Sequence, residues 1–142
     1  MPRVNIQAVQ PDAYAAMFGL ENYLAGSEIS RELQELVRLR ASLLNRCSFC
    51  INMHSKAAAE AGAGRNKLRA LEDWQSSELF SQKEQAALTL TDLLTQVAAQ
   101  GLPEQAYQAA QTHYSDTEIA QLIMLIATIN AWNRLGISMA EH

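Results

Sequence analysis

Cys47 and Cys50 are the only cysteines in the chain, three residues apart in the run Cys47-Ser48-Phe49-Cys50-Ile51-Asn52-Met53-His54. That spacing suits a disulfide that opens and closes better than one that staples a fold. In a helix, Cys50 and His54 lie one turn apart on the same face. Glu35 stands upstream of the pair. A thiol with a base and an acid within reach makes an activated sulfur nucleophile, so the residues point to redox chemistry. Two blander readings compete. Zinc usually takes four ligands from two separated pairs, whereas only Cys47, Cys50 and His54 cluster here and His113 is distant in sequence. Two cysteines buried as small apolar groups would have no need of His54 at helical spacing. No metal or other cofactor is therefore expected.

The elements that must position these residues read as helices almost throughout. The chain has 142 residues, 49% of them hydrophobic and 18% charged, which fits one domain with a real core. Alanine is abundant and β-branched residues form no alternating runs. A first helix is expected from Pro11 or Asp12 to about Leu24, with proline at its entry, and Gly26-Ser27 breaks it. Ser30 then caps a helix from about Arg31 to Asn45 that carries Glu35 and an apolar stripe of Leu33, Leu36, Val37, Leu43 and Leu44. The cysteine helix starts near Cys47 and ends at Ala61-Gly62, with Gly62 or Gly64 as its C-cap. Its N-terminus would favour thiolate over thiol.

A short helix from Asn66 to about Trp74 follows. Ser81-x-x-Glu84 is a capping box for a helix to about Ala99, and Pro103 opens one to Tyr114. Ser115-x-x-Glu118 is a second capping box, for a last helix to about Leu135. There Ile119, Leu122, Ile123, Ile126, Ile129 and Asn130 recur at helical spacing, with Met124 and Leu125 apolar off that stripe. Apolar residues on more than one face predict deep burial or a subunit interface, and we favour the interface. The expected architecture is all-α: one domain over residues 1–142, a bundle of about six or seven helices.

The net charge of -4 and the three scattered lysines, Lys56, Lys67 and Lys83, exclude the clustered basic surface that nucleic acid requires. No apolar leader is visible at the N-terminus. The most apolar stretch, Ile119 to Trp132, is shorter than the ~20 residues that span a bilayer. These features predict a cytoplasmic protein without a membrane segment. In a reducing cytosol a lone Cys-x-x-Cys is catalytic or metal-binding more often than structural.

Glu35 followed by Cys47-Ser48-x-Cys50-x-x-x-His54 resembles the active-site signature of the alkylhydroperoxidase AhpD-like proteins of the carboxymuconolactone decarboxylase superfamily. The stretch from Phe80 to Leu90 and the late Asn130-Ala131-Trp132-Asn133-Arg134 extend the resemblance over most of the chain. The resemblance implies that Cys50 is the peroxidatic thiol, deprotonated through His54 and Glu35, and that Cys47 resolves the Cys50 sulfenate into a disulfide. It further implies an external dithiol reductant, lipoyl-bearing or thioredoxin-like, and a homo-oligomer, commonly a trimer or hexamer. The chain departs from the founding alkylhydroperoxidase at Phe49, where that protein has a histidine. The superfamily also holds lactone decarboxylases, so a lyase is an alternative function, and a non-enzymatic redox sensor is another. By spacing alone the attacker stays open: thioredoxin-type helices use the first cysteine, here Cys47, whereas His54 favours Cys50.

Structural roles are expected for the remaining polar and aromatic residues. Glu35 can pair with Arg38 at i,i+3, and Arg38-x-Arg40 reads as a solvated face. Asn130, Asn133 and Arg134 would cap the last helix or bridge subunits. Trp74 and Trp132 read as core or interface. His113 is expected near a helix C-terminus.

Overall fold

A computed structural model describes residues 2–140. Among these residues there are nine α-helices, a 3₁₀ segment at Leu71–Ser76, and no strand. The helices are α1 (Ile6–Val9), α2 (Pro11–Ala25), α3 (Arg31–Asn45), α4 (Ser48–Glu60), α5 (Arg65–Ala70), α6 (Gln82–Thr95), α7 (Val97–Gln100), α8 (Glu104–His113) and α9 (Asp116–Met139). Two of these, α1 and α7, are single turns of 4 residues each, so the other seven carry the bundle.

Local chemistry explains most boundaries. The Ser30 hydroxyl accepts from the Leu33 N–H and starts α3. Both capping boxes form: Ser81 and Glu84 bond reciprocally at the head of α6, and Ser115 and Glu118 do so at the head of α9. Pro11 opens α2. The end of α4 falls at Ala61, and Gly62 follows with φ +107°, a conformation that suits glycine. Four boundaries differ from expectation, one of them in the helix expected from Asn66 to about Trp74, which ends at Ala70 and gives way to the 3₁₀ segment. The Asn5 side chain caps an unforeseen turn, α1. The helix expected to reach Ala99 breaks at Gln96 without glycine or proline there. The last helix continues past Leu135 to Met139.

Two apolar clusters form the core. One joins Leu24, Leu33, Val37, Ala87, Leu90 and Ala110 with Ile119, Leu122, Leu125 and Ile126 of α9. The other joins Leu36, Leu39, Ala58, Leu71, Trp74, Phe80 and Leu88. The two clusters share α3, which is therefore buried around nearly its whole circumference from Leu33 to Ser42. A helix in that position cannot leave its polar side chains unpaired. Gln34, Glu35, Arg38 and Ser42 are all buried, and all are hydrogen-bonded.

Much of the apolar surplus of α9 is absorbed inside the chain. Leu125, off the expected stripe, is 1% exposed, while Ile123 packs partly buried and Met124 is exposed. At 24 residues, with a mean hydropathy of 1.2 over its most apolar 18-residue window, α9 is long and apolar enough by composition to cross a membrane. This corrects the shorter span read from Ile119 to Trp132. Its packing against α2, α3 and α6 makes it a core helix of the bundle.

Candidate active site

The turn between α3 and α4 sets the two sulfurs. Arg46 takes a left-handed conformation at φ 57° and reverses the chain, and the Cys47 N–H bonds the Ser42 carbonyl at 3.2 Å. Cys47 then serves as the N-cap of α4, its Sγ accepting from the Cys50 N–H at 3.4 Å. Cys50 follows in the first turn, within reach of the positive end of the helix dipole. The two cysteines are joined by a disulfide, with Cα atoms 5.2 Å apart. Both are buried, at 2% and 5% exposure.

The position of Cys47 rests on an amide network behind it. The Asn45 side chain donates to Oδ1 of both Asn130 and Asn133, each at 2.9 Å. Asn133 donates to the Ser42 hydroxyl, and Asn130 donates to Thr95. Arg134 bonds the Asn130 carbonyl and amide oxygen. Asn130 and Asn133 thus neither cap α9 nor wait for a second subunit: their partners lie within the chain, and they tie α9 to the end of α3.

His54 and Glu35 meet across the α3–α4 packing. Glu35 Oε2 lies 2.8 Å from His54 Nδ1, and its Oε1 accepts from Arg38 Nη1 at 2.8 Å. The contact expected between Glu35 and the imidazole and the i,i+3 pair with Arg38 therefore coexist, one on each carboxylate oxygen. Because the partner is a carboxylate, Nδ1 carries the hydrogen, which leaves Nε2 as the ring nitrogen not held by Glu35. Burial pushes the Glu35 carboxyl up. The hydrogen bond from His54 and the Arg38 charge outweigh burial and hold it below its ordinary value of 4.5.

Arg38 is no solvated residue. It is 8% exposed, and its second arm donates to Glu21 Oε2 on α2 at 2.9 Å. The other oxygen of Glu21 accepts from Trp132 Nε1 on α9 at 3.0 Å. A continuous chain, His54–Glu35–Arg38–Glu21–Trp132, links four helices. Arg40 also leaves the solvent. It pairs with both oxygens of Asp92 and bonds the carbonyls of Leu71 and Glu72, and Asp92 in turn accepts from Trp74 Nε1. The sequence showed two arginines on a helix and no sign that both faces of that helix would be covered.

Cys50 and His54 share a cleft of about 660 Å³, a size typical of small-molecule sites. Its walls are mostly apolar: Tyr14 and Phe18 from α2, Phe49 and Met53 from α4, and Trp132 and Met139 from α9. Tyr14 and Phe18 lie edge-on or tilted against Trp132, with ring centres 5.4 and 5.6 Å away. Trp132 is thus a wall of the cleft as well as a packing residue. Phe49 lies at the rim, 69% exposed. Cys47 does not line the cleft.

All four residues singled out from sequence, Glu35, Cys47, Cys50 and His54, come together. Sequence reasoning missed Glu21, the cleft role of Tyr14 and Phe18, and Gly136, which lines the cleft beside Cys50. The i,i+4 spacing of Tyr14 and Phe18 and a glycine inside a long helix were the available signals. His113 ends α8 as expected. Among the described residues no group of three or more His, Cys, Asp or Glu is placed to hold a metal ion.

An all-helical bundle that sets a Cys-x-x-Cys at a helix start, backed by a Glu-His pair, defines a thiol-disulfide protein of the AhpD-like class. The carboxymuconolactone decarboxylase family model matches residues 11–93, more than half of the chain, and the chain belongs to that family. YdfG of Bacillus subtilis, itself uncharacterised, is 32% identical over 140 residues, covering 99% of this chain and 95% of that protein. A solved structure from Agrobacterium tumefaciens, of unknown function and described as a candidate antioxidant defence protein AhpD, superposes with a TM-score of 0.94 at 32% identity. That superposition covers 100% of this chain and 98% of the other. The debrominase Bmp8 shares the fold at 24% identity and a TM-score of 0.85, covering 96% of this chain and 73% of its own.

Proposed function

We propose that this protein is a thiol-dependent peroxidase that reduces alkyl or hydrogen peroxides through a Cys47/Cys50 dithiol–disulfide cycle. The observation that carries the reading is the division between the sulfurs. Cys50 lines an apolar cleft together with His54, whose Nδ1 is held by Glu35, while Cys47 stands behind it as the helix cap. In the reduced protein, His54 Nε2 accepts the Cys50 proton, and Glu35 keeps the ring oriented and balances the imidazolium. The thiolate attacks one peroxide oxygen, the O–O bond breaks, and the alkoxide leaves as the alcohol with the proton from His54. The Cys47 thiol then attacks the Cys50 sulfenic acid, forming the disulfide and releasing water. An external dithiol supplies two electrons and two protons to reopen it.

We assign that reductant to a lipoyl-bearing or thioredoxin-like protein, and the setting to the reducing cytoplasm, where such a pair can turn over. A homo-oligomer, trimer or hexamer, belongs to the same reading. The exposed Phe18, Tyr23, Phe49 and Met53 support it, as apolar surface that a second copy could cover. The test is peroxide consumption coupled to a dithiol. Cys50→Ser is expected to abolish it, whereas Cys47→Ser should still perform one reduction and accumulate a sulfenic acid on Cys50. Full turnover by Cys50→Ser would overturn the assignment.

A further inference from the structure

Gly136 sits in the last turns of α9, away from the segment that the family model matches. Its backbone does not require glycine, since only Gly62 and Gly101 among the glycines have positive φ. Alanine is the better helix former at such a position. The reason for glycine lies across the helix interface. A Cβ at residue 136 would stand 3.1 Å from Cys47 Sγ and 3.5 Å from Cys50 Sγ. The first distance is tighter than ordinary van der Waals contact, and both atoms belong to the disulfide. Gly136 is a cleft residue beside Cys50 as well.

We propose that Gly136 sets the redox poise of the Cys47–Cys50 pair, because the closed disulfide occupies the space that a side chain at 136 would take. The S–S bond fixes the side-chain torsions of both cysteines, so neither sulfur can turn away from an added methyl. The backbone cannot easily yield either. Cys47 is held by its N–H bond to Ser42, and the neighbouring Asn45 is bonded to Asn130 and Asn133 on α9 itself. When a dithiol reduces the pair, the S–S bond breaks, each sulfur gains an electron and a proton, and the reductant closes its own disulfide. Each Cys Sγ is then free to change rotamer and leave the crowded position. A methyl at 136 therefore penalises the oxidised state more than the reduced one. Gly136 is a positioning residue: it permits the disulfide and takes no part in proton transfer.

The inference rests on the redox pair of the proposed function, but not on peroxide as its oxidant, so dithiol equilibrium tests one and peroxide turnover the other. Wild type and Gly136→Ala are equilibrated with mixtures of oxidised and reduced dithiothreitol, and the thiols are counted by alkylation and mass spectrometry. The expected result is a roughly tenfold shift toward the dithiol, about 30 mV upward in reduction potential. Thermal melting should show Gly136→Ala less stable than wild type when oxidised, and equal or more stable when reduced. An unchanged equilibrium overturns the proposal, as does an equal loss of stability in both redox states, which would mark plain overpacking. If oxidised Gly136→Ala does not fold, the same substitution is made in a Cys47→Ser/Cys50→Ser background. Folding there supports the proposal, and failure there overturns it.

Discussion

Replacing Glu35 by glutamine removes one charge and leaves the shape nearly unchanged, so it isolates what the carboxylate does. In the native site both oxygens accept charge-assisted or buried hydrogen bonds at 2.8 Å, from His54 Nδ1 and from Arg38 Nη1, and the side chain is 7% exposed. A glutamine has one oxygen and one NH₂ group. Its oxygen satisfies Arg38 or the imidazole, and its NH₂ group then faces the other. Against Arg38 the NH₂ meets a donor that has no lone pair to offer. The stable arrangement therefore gives the oxygen to Arg38 and the NH₂ to Nδ1, which forces Nδ1 to become the acceptor. The proton moves to Nε2, the nitrogen that must take the Cys50 proton.

Both hydrogen bonds persist in the glutamine protein but lose the carboxylate charge, a difference of about 1 kcal/mol for each bond, and leaving Arg38 with Glu21 as its one remaining carboxylate adds to that. We expect Glu35→Gln to be less stable by about 2–4 kcal/mol. The wrong tautomer should slow Cys50 alkylation by iodoacetamide at neutral pH, in a Cys47→Ser background, by on the order of 10²-fold or more. Peroxide consumption should fall in parallel. The assay is the alkylation rate followed across pH, alongside guanidinium unfolding of the same samples. A Glu35→Gln protein with wild-type alkylation rate and pH profile would refute the relay through His54, whatever its stability.

The same carboxylate predicts an acid sensitivity. A group whose pKa is lower in the folded than in the unfolded state stabilises the fold above its ordinary value, 4.5 for Glu35, and that contribution drains away as pH falls through the lower folded value. Unfolding free energy should therefore fall more steeply below pH 4.5 in wild type than in Glu35→Gln, and parallel curves would contradict the linkage. At the head of α9, the Ser115 hydroxyl accepts from the Glu118 N–H, and the Ser115 N–H donates to Glu118 in return. That backbone hydrogen bond is the first cause of the lowered Glu118 carboxyl. Ser115→Ala should cost about 1 kcal/mol, a drop in Tm of roughly 2–5 °C by calorimetry, with peroxide turnover at native temperature unchanged.

The redox motif, the helical class and most helix starts were legible in the chain because they are local. A Cys-x-x-Cys followed by His54 at i+4 needs only helical periodicity to place Cys50 and His54 together. Ser30, Ser81 and Ser115 announce their helices through hydrogen bonds that close within four residues. The misreadings share one physical origin. Arg38 and Arg40 looked solvated because charged side chains usually are, and only the burial of α3 between two apolar clusters forces each to find carboxylates on other helices. Asn130 and Asn133 carry no local mark of their bonds to Asn45 and Ser42, some ninety residues earlier in the chain.

The sequence by itself therefore determined which atoms could react and that helices would carry them. The tertiary structure decided which sulfur faces the cleft, how Arg38 is shared between Glu35 and Glu21, and why a glycine sits against the disulfide. Those three outcomes depend on how α2, α3, α4 and α9 approach one another. Helix approach is set by the summed packing of side chains far apart in the chain, which no short window of residues contains.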